Sequence, residues 1–250
     1  MSRDRLTILG CGDAFSSGGR YQSAYLYESN GERMLVDCGA TTVAALKAHG
    51  IRPVDIDRLL ITHAHGDHIG GIPFLLLDYA FLHPREKPLQ VAGPAAVAPV
   101  LRPLLEHLYP GFREMPNYEM PIRFTPIAPG ETVQLGSFRV CSRVAIHLDS
   151  ADAFSYRVEG VRSTIGFSGD TGWSDALTEV AAGTDLFLCE CSLWESNFPY
   201  HLCYATLLDK LPVLATRRLL LIHMGDEVLA RSNEIELEMA HDGMVIELGN

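Results

Sequence analysis

Short apolar runs recur along the chain, and between them lie stretches in which apolar residues return every three or four positions. The first pattern predicts strands over residues 6–9, 24–28, 34–37, 59–61, 89–92, 123–127, 139–146, 154–158, 163–167, 186–189, 219–222 and 244–248. The second predicts helices over residues 41–49, 72–82, 95–108, 174–182, 205–210 and 233–240. Gly50 follows the first helix, where a left-handed residue ends such an element. Neither a sequence repeat nor a low-complexity tract interrupts the pattern. Strands followed by mixed elements, twice over, predict two sheets packed face to face with helices outside, in one domain over residues 1–250. Residues 107–121 hold Pro110, Pro116 and Pro121 among Tyr109, Phe112 and Tyr118. That segment reads equally as a substrate-covering loop and as a proline-rich connection.

One turn departs from this ordinary patterning. The apolar run Leu59-Leu60-Ile61 leads into His63-Ala64-His65-Gly66-Asp67-His68, and Gly70-Gly71 follows. Imidazole and carboxylate are the usual side-chain ligands of zinc and its neighbours. His63 and His65 project to one side of an extended segment, and the small residues Ala64 and Gly66 let the chain turn so that Asp67 and His68 face a second position. Four such groups in six positions are an electrostatic burden unless they hold metal. Three more ligand types stand just past apolar strands: His147 after Val144-Ala145-Ile146, Asp170 after Phe167-Ser168-Gly169, and His223 after Leu219-Leu220-Leu221-Ile222. Loops at strand ends are where a rigid scaffold presents functional groups.

Bulk composition narrows the choice of partner. The 250 residues are 47% hydrophobic and 20% charged, as expected of a globular chain with a sizeable core. The net charge is −11, with Lys47, Lys87 and Lys210 the only lysines, so no basic face for a nucleic-acid backbone is evident. No apolar run approaches the ~20 residues that span a membrane. The stretch after Met1 is too short for a secretory leader, which places the expected location in the cytoplasm. The six cysteines form no CxxC pair and are expected to be reduced. Cys189-Glu190-Cys191 reads as one face of a buried strand rather than a metal clip.

The order HxHxDH, His, Asp, His resembles the metallo-β-lactamase superfamily, whose fold is a four-layer αβ/βα sandwich. The resemblance implies that His63, His65 and His147 hold one divalent metal and Asp67, His68 and His223 a second, with Asp170 bridging them. Zinc is the metal expected, although manganese and iron suit the same donors. Such a pair activates a shared hydroxide and clamps both ends of a displacement.

Further motifs resemble the tRNase Z-like branch, which includes a cyclic phosphodiesterase of phosphonate breakdown. They are Leu9-Gly10-Cys11-Gly12-Asp13-Ala14, Ser168-Gly169-Asp170-Thr171 and the closing His241-Asp242-Gly243-Met244. Cys189-Glu190-Cys191-Ser192 stands where that branch carries His-Glu-Ala-Thr, and His201 stands where it carries a catalytic histidine. Two departures point away from tRNA: only 23 positions separate His147 from Asp170 (170 − 147), too few for a tRNA-gripping arm, and Cys189 replaces the first histidine.

The resemblance therefore implies a phosphodiesterase for a small or cyclic phosphodiester, with His201, Glu190 and Asp67 as catalytic residues. His201 is the expected general acid and Glu190 its orienting partner. The alternatives are a lactonase, thioesterase or β-lactamase-like hydrolase on the same metals, and a metal-binding module without turnover. A lactonase would be expected to set a tyrosine near the metals. Trp194, Phe198 and Tyr200 read equally as pocket wall and as satellite core, and Ser16-Ser17-Gly18-Gly19 equally as an active-site loop and as a plain turn. His49, His83, His107 and His241 are assigned no chemistry. A homodimer is an expectation from the resemblance alone.

Overall fold

The computed structural model describes residues 3–112, 122–148 and 152–249. Its strands are β1 (Asp4–Gly10), β2 (Ala24–Ser29), β3 (Glu32–Val36), β4 (Arg58–Leu60), β5 (Leu89–Pro94), β6 (Ile122–Ile127), β7 (Thr132–Leu135), β8 (Phe138–Val144), β9 (Phe154–Glu159), β10 (Thr164–Phe167), β11 (Leu186–Glu190), β12 (Leu219–Ile222) and β13 (Val245–Leu248). One sheet runs β13-β1-β2-β3-β4-β5-β6 and the other β12-β11-β10-β9-β8-β7. Helices α1 (Thr42–Ala48), α2 (Gly66–Ile69), α3 (Ile72–Phe81) and α4 (Ala98–Leu108) belong to the first half of the chain, and α5 (Ala176–Ala181), α6 (Tyr204–Lys210) and α7 (Asp226–Ala230) to the second.

Three apolar layers explain why the sheets stack. Alternate residues of both sheets, such as Leu6, Ile8, Tyr27, Phe138, Tyr156 and Leu188, form the buried middle. The opposite face of the first sheet packs Leu26, Leu35 and Leu59 against Leu46, Leu75 and Leu105 of the helices. The opposite face of the second packs Phe187 and Leu221 against Leu177, Leu207 and Val228. The result is the expected αβ/βα sandwich. In β11, Leu186 and Leu188 face the middle, whereas Phe187 and Cys189 face the helices. Cys189 and Cys191 are therefore core thiols, and burial pushes both upward in pKa. All six cysteines are free. No helix among the described residues is long and apolar enough to cross a membrane.

One expectation about elements needs correction. Residues 233–240 are not a helix: a short turn at Ser232–Glu234 gives way to extended chain, and Met239 bridges Leu221. Ile235, Leu237 and Met239 all pack on the outer core, a period of two that suits extended backbone. Strand β7 and helices α2 and α7 go unpredicted, each being only four or five residues long. The proposed insertion over 107–121 falls mostly on residues outside those described; within them, Phe112 is buried in the outer core of the first sheet.

The topology places the chemistry. β3, β4 and β5 are parallel, as are β10, β11 and β12. His63 and His65 follow β4, His147 follows β8, Asp170 follows β10, and His223 follows β12. All therefore leave the carboxyl ends of strands, where open α/β sheets bind their ligands.

Candidate metal centre

The histidine-rich turn is fixed from beneath by a carboxylate. Asp37, buried just past β3, accepts hydrogen bonds from the Thr62 amide (2.8 Å) and hydroxyl (2.9 Å). It also accepts from His68 Nδ1 at 2.8 Å. Thr62 Oγ1, its own proton committed to Asp37, accepts in turn from His63 Nδ1 at 3.0 Å. Close backbone packing completes the cradle. The Cys38 amide donates to the His68 carbonyl at 2.7 Å, and a Cβ on Gly71 would collide with the Gly39 carbonyl.

All seven expected ligands converge. His63, His65 and His147 offer ligand atoms within 4.8 Å of one another, and Asp67, His68, Asp170 and His223 do the same. Asp170 lies between the groups: Oδ1 is 3.3 Å from His68 Nε2, and Oδ2 is 3.3 Å from His223 Nε2 and 4.0 Å from His63 Nε2. Asp67 Oδ2 is 3.3 Å from His68 Nε2 and 3.2 Å from His223 Nε2. His65 Nδ1 meets His147 Nε2 at 3.0 Å.

The orientation of the rings fits a metal pair. Four histidines donate Nδ1–H to an acceptor outside the cluster: His63 to Thr62, His68 to Asp37, His147 to the Tyr200 carbonyl (3.0 Å) and His223 to Ser192 Oγ (2.9 Å). Each ring thereby turns a basic Nε2 inward, the arrangement that second partners impose on metal-binding histidines. His63 Nε2 and His68 Nε2 are buried with no hydrogen-bond partner. Orphaned buried acceptors of this kind are costly unless something binds them.

Electrostatics point the same way. Burial alone would raise the Asp67 and Asp170 pKa values, but the surrounding histidines outweigh it and hold both carboxyls well below their usual range. Burial drives His63 well below a free imidazole, whereas His223, despite its burial, is raised to about 9 by Asp170 and Asp67. His223 also adopts a left-handed backbone (φ 54°), which costs on the order of 1–2 kcal/mol for a residue with a Cβ. Its amide donates to the Cys11 carbonyl at 2.8 Å, and the Cys11 amide is held by Asp242 at 3.0 Å. The closing Asp242 thus supports a candidate ligand through Cys11.

His201 stands beside the cluster. Its Nδ1 meets Glu190 Oε1 at 3.0 Å and Oε2 at 3.2 Å, and its second nitrogen remains for a ligand. Glu190 is fully buried and also accepts the Thr171 amide. Burial lowers the His201 pKa, but the Glu190 hydrogen bond and charge more than reverse this, and the net shift is upward. The ring lies parallel to those of His223 (9°) and Phe198 (18°).

A cavity of about 520 Å³ opens over these groups, bounded by Phe15, Leu148 and Phe198 at its apolar side and by His65, His147 and His201 at its polar side. Of the three aromatics left open by the sequence, Phe198 lines the cavity, whereas Trp194 stacks on Tyr204 (4.9 Å) in the outer core. Tyr200 contributes its carbonyl to His147. The turn at Ser16–Gly19 is pinned by Asp13, which accepts from the Ser17 amide (2.8 Å) and hydroxyl (2.7 Å), and Ser17 reaches the cavity. His83, His107 and His241 bond elsewhere, to Asp78, Pro103 and Asp242. Sequence patterning missed Asp37, Thr62 and Ser192. Asp37 carries the same strand-end signal as His147, whereas the other two carry none.

Comparison with known proteins agrees with this geometry. A Ribonuclease Z of Methanococcus maripaludis (strain C6) is 31% identical over 156 residues, covering 61% of this chain and 48% of that relative. The chain thus matches about half the length of the curated relatives. The crystal structure of human tRNase Z, short form, superposes with a TM-score of 0.79 at 22% identity, covering 98% of this chain and 100% of that one. A diphosphatase from the PhnP family gives 0.79 at 17%, covering 99% of each chain. The fold is the metallo-β-lactamase fold, and the chain is similar to proteins of the tRNase Z-like kind. Residues 5–245 match the family model described as Anti-Pycsar protein Apyc1, and the chain belongs to that family.

Proposed function

We propose that this chain is a two-metal phosphodiesterase acting on a small or cyclic phosphodiester. The observation that carries the reading is His201, tied by Nδ1 to the buried Glu190 and set beside a complete seven-ligand cluster. Breaking a phosphodiester to an alkoxide requires a proton at the leaving oxygen, and a histidine raised in pKa by a carboxylate supplies one. The resemblance to a PhnP-family diphosphatase and to Ribonuclease Z supports phosphorus over carbon as the centre attacked.

In this reading His63, His65 and His147 would hold one metal and Asp67, His68 and His223 the other, with Asp170 placed between the two groups. Bound divalent metals, zinc foremost, lower the pKa of a water toward ~7 and neutralise charge growing on the phosphoryl oxygens. The chain does the rest. The outer hydrogen bonds keep each ring aimed and basic, Asp67 and Asp170 stay ionised among the histidines, and Glu190 orients His201 toward the cavity. Phe198 offers a flat apolar wall to the group carried on the ester.

The cavity and its surroundings support a small substrate. About 520 Å³ suits a small molecule. β9 and β10 occupy the chain between His147 and Asp170, where an RNA-gripping arm would have to be inserted. No tyrosine lines the cavity among the described residues; Tyr25 is buried behind His68. That disfavours the lactonase reading.

The test is metal analysis of purified protein joined to an activity panel of cyclic and linear phosphodiesters, lactones and precursor tRNA. Two equivalents of metal and chelator-reversible cleavage of small diesters are expected. Preferential cleavage of lactones or of precursor tRNA would overturn the reading, as would bound metal without turnover.

A further inference from the structure

The geometry points to Ser192 as a positioning residue that joins the metal centre to the proton donor, an inference that rests on the function proposed above. Ser192 lies two residues past Glu190, on the loop leaving β11. Its Oγ is 2.7 Å from Glu190 Oε2, 2.9 Å from His223 Nδ1, 3.0 Å from the His223 carbonyl and 3.4 Å from His201 Nδ1.

A hydroxyl has one proton and two lone pairs. The short distance and the carboxylate direct that proton to Glu190 Oε2. A lone pair of Oγ is then left to accept His223 Nδ1–H. One oxygen thus does two things at once. It fixes the tautomer of His223 that presents Nε2 to Asp67 and Asp170, and it holds the carboxylate that orients His201.

The other three inward-turned histidines lean on acceptors that do not touch Glu190: Thr62, Asp37 and the Tyr200 carbonyl. Only at His223, among these four histidines, does one side chain support both a candidate metal ligand and Glu190. Glu190 is fully buried and His223 nearly so, so loss of the hydroxyl takes a partner from both a buried carboxylate and a buried imidazole.

The prediction separates hydrogen bonding from packing. Ser192→Ala and the near-isosteric Ser192→Cys lose the hydroxyl, whereas Ser192→Thr keeps it. Outer-shell partners of this kind are worth about 10- to 100-fold in metal affinity or activity. Zinc affinity, measured by competition with a chromophoric chelator on protein stripped of metal, is expected to fall by that order for one of two equivalents in the Ala and Cys variants. In Ser192→Thr it should stay within a few-fold of the parent. Turnover of an alkyl diester should fall with affinity and stay low in the Ala variant at saturating zinc, because Glu190 is also released. Thermal unfolding of the stripped proteins establishes that each variant folds.

Parent-like zinc affinity in Ser192→Ala, or a Thr variant as weak as the Ala variant, would overturn the assignment. The zinc titration needs no substrate. A parent protein that binds two zinc ions but cleaves no diester would therefore sink the proposed function while the titration still decides Ser192.

Discussion

Residues 62–68 and residues 190–203 face each other across the cavity and are built on opposite plans. The first segment is a contiguous cradle: Thr62 and His68 share the buried carboxylate of Asp37, His63 leans on Thr62, and the backbone is clamped through Cys38 and Gly71. The second is a looser loop whose chemistry is spread out, with Glu190 wholly buried, His201 partly so and Phe198 45% exposed. The cradle suits a task that varies little, holding metal and activating water. The loop suits one that differs between substrates, delivering a proton and meeting the leaving group. A rigid scaffold with function carried on its loops is the usual division of labour.

Changes in the cradle should abolish chemistry of every kind, and changes in the loop should discriminate between substrates. Asp170→Ala should have the largest effect, because it removes the carboxylate shared by both ligand groups. Loss of bound metal and of all measurable turnover on aryl and alkyl diesters alike is expected, by elemental analysis and assay. Glu190→Gln comes next, with a loss of about 10²- to 10⁴-fold on alkyl diesters and much less on bis(p-nitrophenyl) phosphate. It should also move the pH profile. In the proposed role His201 must be protonated to act, and its raised pKa keeps it so to higher pH than a free imidazole. Activity falls as pH rises through that value. Without the Glu190 charge the alkaline limb should therefore shift to lower pH; an unmoved limb would detach Glu190 from the acid.

How much of this was legible in the sequence follows the same contrast. The cradle's candidate ligands lie within six positions, and the remaining candidates follow apolar strands, so local pattern points to all seven residues that the fold brings together. The loop's partnerships are long-range. Ser192 meets His223 across 31 positions, and a lone serine after a strand carries no signal. Asp37 could be found by the strand-end rule but not its function, since its link to His68 also spans 31 positions. The misread helix over 233–240 failed for a different reason. Ile235, Leu237 and Met239 alternate strictly with Glu234, Glu236 and Glu238, which is the period of an extended segment, so the signal stands in the sequence and the helical reading overlooks it.

Two smaller effects sharpen the contrast. Asp37→Asn should keep the fold but weaken metal binding by about 10- to 100-fold, since it exchanges the charged acceptor of His68 and Thr62 for a neutral one. Equal losses on aryl and alkyl substrates, restored by excess metal, are the expected signature. Phe198→Ala should leave metal content and stability unchanged and raise KM by roughly threefold to tenfold, the worth of one aromatic contact. A change in metal content instead would place Phe198 with the cradle.

The account's central claim is that the metal cluster works with a separate proton donor, and His201→Ala tests it most directly. The measurement is the ratio of turnover on an alkyl phosphodiester to that on bis(p-nitrophenyl) phosphate, in the parent and in the variant, at full metal occupancy. p-Nitrophenolate leaves without help, so the aryl rate should change little while the alkyl rate falls by about 10²- to 10⁴-fold. An unchanged ratio, with both rates falling together or neither falling, would contradict the claim.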